Sequence, residues 1–157
     1  MKINLTKKQY WNIMRGMYMA DWMANAICDA DMKQDEGIKE ARNYIFSFAK
    51  EMGFEDYAGY DKELGRYYAT YDMDDEPVTR GLIERFEEHS AWDELSSWLG
   101  DRDFFKKYTT EEIEKMNDEE RFMKRMECEI AWGKEFEKRG IERLNIVDET
   151  KKLEGKK

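Results

Sequence analysis

One proline, one histidine and two cysteines in 157 residues each close off a class of protein. Pro77 alone lacks a backbone donor, and only ten glycines accompany it, so few positions force a helix to stop and long helices are expected. Any catalytic triad would have to use His89, the single imidazole. No Gly-x-Ser-x-Gly element is present, and neither cysteine lies near that histidine or in a pattern that lowers a thiol pKa. Cys28 and Cys128 stand far apart, each inside an apolar helical pattern, and read as free, buried thiols of a reducing cytosol rather than a disulfide. Gly53, Gly59 and Gly65 have no Lys-Ser/Thr partner, so no phosphate-cradling loop exists and no cofactor is expected.

Long apolar runs are also missing. The most apolar segment, Tyr10 to Cys28, contains Asn12, Arg15, Asp21 and Asn25, which is too polar for a lipid-spanning helix. The positive N-terminus is followed by no apolar run or cleavage site of a signal peptide. A cytoplasmic protein with no membrane partner is the expectation.

Charge and aromatic side chains are plentiful. Charged residues make up 40% of the chain, aromatics 14% and hydrophobics 41%, enough to build an interior by removing roughly two-thirds of the unfolded surface from water. The net charge of −9 argues against direct nucleic-acid binding, which needs Lys and Arg to displace counterions from phosphates. It suits a protein partner with a basic surface.

Helical punctuation recurs along the chain. Thr6 with Gln9 forms a capping box, opening a helix from about Lys7 to Asp29 whose apolar residues cover most of its circumference. That helix is placed at the centre. A second helix, with Ile38, Ala41, Ile45, Phe48 and Met52, is closed by Gly53, with Phe54 folding back over its end. Glu55 to Tyr71 reads as one or two short helices, and Tyr71 to Pro77 as a loop. A helix from about Val78, with Leu82, Ile83 and Phe86 as its core face, should stop near His89, because Ser90 and Asp93 resemble a new cap. The next, with Trp92, Leu95, Trp98 and Leu99 on one face, should close at Gly100. Thr109 with Glu112 opens a short helix, and Asn117 or Asp118 caps a long one ending at Gly140. Ile141 to Val147 is read as a strand or an irregular segment. The expected fold is all-α, a single-domain bundle of six to eight helices over residues 1–148 with a polar, Lys-rich tail at 149–157.

Three places could carry function. Between Asp72 and Glu94 stand nine acidic and two basic residues, a balance of −7 that holds most of the chain's net charge. Such a field steers a basic partner. Within the window, His89 with Glu88 and Asp93 supplies ligand types for a divalent cation or for acid–base steps, although a break at Ser90 spoils their spacing. In the first helix, Arg15, Asp21 and Asn25 sit among aromatics and form a candidate buried polar network, with Arg15 or Arg102 as the partner of Asp21. The leading expectation is a small, non-enzymatic regulator, adaptor or inhibitor. It would bind another macromolecule through an acidic surface around residues 72–98, with Asp74, Asp75, Glu76, Glu87, Glu88 and Glu94 as contact residues. The alternative is a carboxylate-dependent divalent-metal enzyme, hydrolase-like, using Glu88, His89 and Asp93. The aromatic content leaves room for a homodimer.

Overall fold

The structure, a computed structural model, describes residues 3–27 and 33–145. Cys28 and the tail at 149–157 lie outside them, as do the last two residues of the Ile141–Val147 segment. The architecture is all-α: among the described residues there are seven α-helices and one two-stranded sheet. In chain order these are α1 (Lys7–Asn25), α2 (Glu36–Phe46), α3 (Ala49–Met52), β1 (Ala58–Asp61), β2 (Arg66–Ala69), α4 (Tyr71–Asp74), α5 (Pro77–Lys107), α6 (Thr110–Lys115) and α7 (Asp118–Arg139). The chain gathers into two compact units, Met1–Phe86 and Glu87–Lys157, and the division falls within α5.

Local capping decides most helix ends. Thr6 and Gln9 form both hydrogen bonds of their box at the start of α1, as do Thr109 and Glu112 at α6, and Asn117 accepts from the Glu120 N–H at the start of α7. At the end of α3, Gly53 takes a left-handed conformation with φ of 76°. The Gly53 N–H then reaches the Lys50 carbonyl at 3.2 Å and the Phe54 N–H the Ala49 carbonyl at 2.8 Å, a Schellman ending. Phe54 folds back as expected and stacks on Trp11 at 4.9 Å.

In the first unit Tyr10, Met14, Phe46 and Ala49 are the buried core, and Trp11, Tyr18, Ile45, Met52, Phe54, Tyr57 and Tyr67 pack partly buried against it. Burial pushes the Tyr10 phenol up to about 12, and its hydroxyl donates to the Ile45 carbonyl at 2.8 Å. The circumference of α1 is less covered than its composition suggests, since Ile13 and Met23 stay exposed.

Of the segment 55–71, read as one or two short helices, only Glu55–Tyr57 is a short helical turn, and residues 58–69 form a β-hairpin. The β1–β2 register pairs Ala58 with Ala69 and Asp61 with Arg66. Asp61 accepts from the Glu63 and Leu64 N–H groups at 2.8 and 3.0 Å, and Gly65 takes φ of 63°, so the Asp-to-Gly segment is a turn. The tyrosines then serve the sheet: Tyr60 and Tyr67 meet across the strands at 4.9 Å, and the ring of Tyr68 covers Gly59. Just beyond, Tyr71–Asp74 is a helical turn rather than loop, and it buries Met73 completely.

The second correction is α5, which runs 31 residues without a break at Ser90 or Gly100. A cap at Ser90 would contribute about 1 kcal/mol, whereas a break leaves up to four N–H and four C=O groups to be satisfied elsewhere. Ser90 therefore stays in the helix. Leu82 and Phe86, expected in the core, are exposed, as is Trp98.

In the second unit, contacts pair rising numbers on α5 with falling numbers on α7, so the two run antiparallel. Trp92 lies 5.3 Å from Phe136, Gly100 faces Glu129, and Asp101 accepts two hydrogen bonds from Arg125. A Cβ at Gly100 would lie 2.8 Å from the Glu129 backbone, whereas one at Gly133 would meet nothing within 4 Å. Two substitutions should therefore differ in sign. Gly133→Ala is expected to stabilise by about 1 kcal/mol through helix propensity, and Gly100→Ala to destabilise by about 1 kcal/mol or more as the helices are forced apart. Urea denaturation of both variants checks this. Beyond Gly140, residues 141–143 form a turn and no strand.

Candidate functional site

The Arg15–Asp21–Asn25 network exists as two separate clusters. Asp21 pairs with Arg42 of α2, and its other carboxylate oxygen accepts from Asn25 at 2.8 Å. The Asn25 carbonyl oxygen in turn accepts from the Asp35 backbone N–H at 2.7 Å, at the residue that caps α2. Arg42 also reaches the Tyr67 carbonyl at 3.4 Å, while Asn43 accepts from the Tyr67 N–H at 2.6 Å, so α2 side chains satisfy the outer backbone of β2. This cluster borders a cleft of about 470 Å³ that Trp22, Arg66 and Tyr68 also line. Neither Arg15 nor Arg102 is the partner of Asp21, because Arg15 turns to α5 and Arg102 pairs with Asp103.

Arg15 donates to the Thr79 hydroxyl at 2.6 Å and lies 3.2 Å from Glu76. Glu76 sits just before Pro77, the first residue of α5, and accepts from the Val78 and Thr79 N–H groups at 3.2 and 2.7 Å. It is thus the cap of α5, with proline at the position where a missing N–H costs nothing. Burial would raise the Glu76 carboxyl, but the Thr79 hydroxyl, the two backbone N–H groups and Arg15 outweigh it and hold it below the usual glutamate value. A carboxylate depressed in the folded state adds stability above its unfolded pKa and loses it as pH falls through the folded value. The stability gap between wild type and Glu76→Gln should therefore be widest at neutral pH and close as pH drops from about 4.3 downward. Melting curves across that range would read it.

The acidic window divides in the same way. Glu76 is spent on the cap. Asp74 accepts from Tyr18, whose phenol is raised to about 12 by burial and by that bond. Asp75 and Glu84 both pair with Arg80, and Arg85 donates to the Gly81 carbonyl. Glu87, Glu88, Asp93 and Glu94 differ. All four are exposed, and none of their carboxylates forms a hydrogen bond or ion pair with another described residue. No Lys or Arg occurs between Arg85 and Arg102. Because α5 is continuous, Glu87, Glu94 and Trp98 fall seven and eleven residues apart on one side of it. Trp98 is 66% exposed.

Continuity of α5 also puts His89 and Asp93 four apart on one face, which the expected break had separated. Both border a groove between α5 and α7, and Glu88 lies off that row. Among the described residues, no group of three or more His, Cys, Asp and Glu side chains converges where a metal ion could be held. Elsewhere in this unit Asp103 is held low: burial opposes it, but the Trp132 N–H at 2.8 Å and Arg102 at 2.9 Å outweigh burial. That arrangement ties α5 to α7.

The fold and site define an all-α chain with a stretch of unpaired, exposed carboxylates on its longest helix. Among known proteins, no family model, curated protein or solved structure matches it. No helix of the described residues is long and apolar enough to cross a membrane.

Proposed function

We propose that this chain works by binding a protein with a basic surface, through the exposed acidic face of α5 from Glu87 to Trp98. The observation that carries the reading is the set of four exposed carboxylates, Glu87, Glu88, Asp93 and Glu94, that form no ion pair with another described residue. Acids that stabilise a fold are paired or capped, as Asp21, Glu76 and Asp103 are here. Uncompensated acids beside an exposed tryptophan combine a steering field with an apolar anchor. The half-buried free thiol of Cys128 supports a reducing compartment, and we place the protein in the cytosol.

The triple variant Glu87→Lys, Glu88→Lys, Glu94→Lys tests this. Affinity purification from the native host, read by mass spectrometry, is expected to recover a basic partner with the wild type. The variant should bind it at least about tenfold more weakly while keeping its helicity and Tm, and wild-type binding should weaken with added salt. An acidic partner, or equal binding by the variant, overturns the reading.

A further inference from the structure

We infer that the cleft between α1, α2 and the β-hairpin binds a small molecule that joins a planar ring to an anionic group. The site belongs to the first unit and does not rest on the acidic-face reading.

The cleft measures about 470 Å³, within the range of small-molecule sites. Trp22 of α1 and Tyr68 of β2 line it, and neither ring stacks on another among the described residues. Formal charge on the lining is balanced, with Asp21, Asp61 and Asp74 against Lys39, Arg42 and Arg66. What differs is how far each group is engaged. Asp21 uses both oxygens, on Arg42 and Asn25, and Asp74 accepts from the Tyr18 hydroxyl at 2.9 Å. Lys39 pairs with Glu36 at 3.1 Å.

Arg66 is the exception. It stands opposite Asp61 in the hairpin register, where opposite charges favour a cross-strand pair. Asp61 instead gives its carboxylate to the turn, accepting from the Glu63 and Leu64 N–H groups at 2.8 and 3.0 Å. Among the described residues, Arg66 is the one charged side chain of this lining that forms no hydrogen bond or ion pair. Arg42, on the same lining, keeps a buried Nε that meets no acceptor among them. The unanswered groups are thus guanidinium donors beside open rings. An aromatic carboxylate or phosphate answers both, its ring against Trp22 or Tyr68 and its anion on the forked N–H groups of Arg66.

Isothermal titration of the full chain with indole-3-acetate and with phenyl phosphate distinguishes the two anions, and tryptamine carries the indole ring with the opposite charge. At least one aromatic anion should bind about tenfold tighter than tryptamine, and than acetate or inorganic phosphate, which lack the ring. Arg66→Gln, at an exposed position, should weaken that anion about tenfold with Tm unchanged, and Arg66→Lys should restore only part of the loss. Trp22→Leu should weaken it as well; if that variant does not fold, Tyr68→Leu, at an exposed position, tests the ring. Amide NMR shifts on adding the anion should cluster at residues 18–26 and 61–69. Tryptamine binding as tightly as the anions overturns the charge preference and with it the inference. Unchanged affinity in Arg66→Gln, shifts confined to other residues, or no saturable binding of either aromatic anion up to about 5 mM overturns the site.

Discussion

Arg42→Ala is expected to lower stability by about 3 kcal/mol, among the largest effects of any single polar substitution in the chain. Asp21 and Arg42 keep only 14% and 15% of their side-chain surface, so removing the guanidinium strands a carboxylate with little access to water. The loss spreads further. Asn25, bonded to Asp21, also holds the first turn of α2 through the Asp35 N–H, and Arg42 reaches the Tyr67 carbonyl of β2. A double-mutant cycle separates these effects: Asp21→Ala with Arg42→Ala should cost clearly less than the two single changes summed, because the stranded charge disappears with its partner. Additivity in urea denaturation would show that the pair does not act as a unit.

Phe46→Ala is expected to cost about 4 kcal/mol. Phe46 is fully buried at the end of α2, in the cluster with Tyr10, Met14 and Ala49. Truncation removes its transfer free energy and leaves a cavity walled by α1, whose Tyr10 is fastened by its hydroxyl to the neighbouring Ile45 carbonyl and cannot simply collapse inward. For a chain of this size the melting temperature should fall by about 10 °C. Phe46→Leu, which keeps most of the volume, should recover more than half of that loss. The largely exposed Tyr71 serves as the comparison, since Tyr71→Ala should change stability by less than about 0.5 kcal/mol.

How far the sequence could be read depended on the range of the interaction involved. Thr6 with Gln9, Thr109 with Glu112, Asn117 and Gly53 were legible because each cap is completed within a few residues. Ser90 with Asp93 obeys the same pattern and fails, since a cap forms only if the preceding residue leaves the helix, and nothing around Ser90 makes that favourable. The hairpin had a usable signal in its tyrosines and in the Asp61-to-Gly65 turn. Reading the segment as one or two short helices gave residues 58–69 the wrong period.

The site divides along the same line. That Glu87, Glu88, Asp93 and Glu94 crowd one segment is plain from the sequence. That Glu76, a few positions earlier, is turned inward to cap α5 and meet Arg15 is not, because Arg15 is sixty-one residues away in the chain. Asp21 stood out as a carboxylate among aromatics, and the structure pairs it with a cation. Its partner came from α2, and no periodicity within α1 could have named it.

The sequence by itself determined the helical class, most helix ends and the concentration of acid on one stretch, because propensity, capping and charge act locally. Only the tertiary structure decided which carboxylates are paired and which stay unpaired and exposed. It also decided that α5 is one helix, with Trp98 outward and a groove against α7. The physical reason is that an ion pair or a helix seam depends on distances between residues far apart in the chain, and folding alone sets those distances.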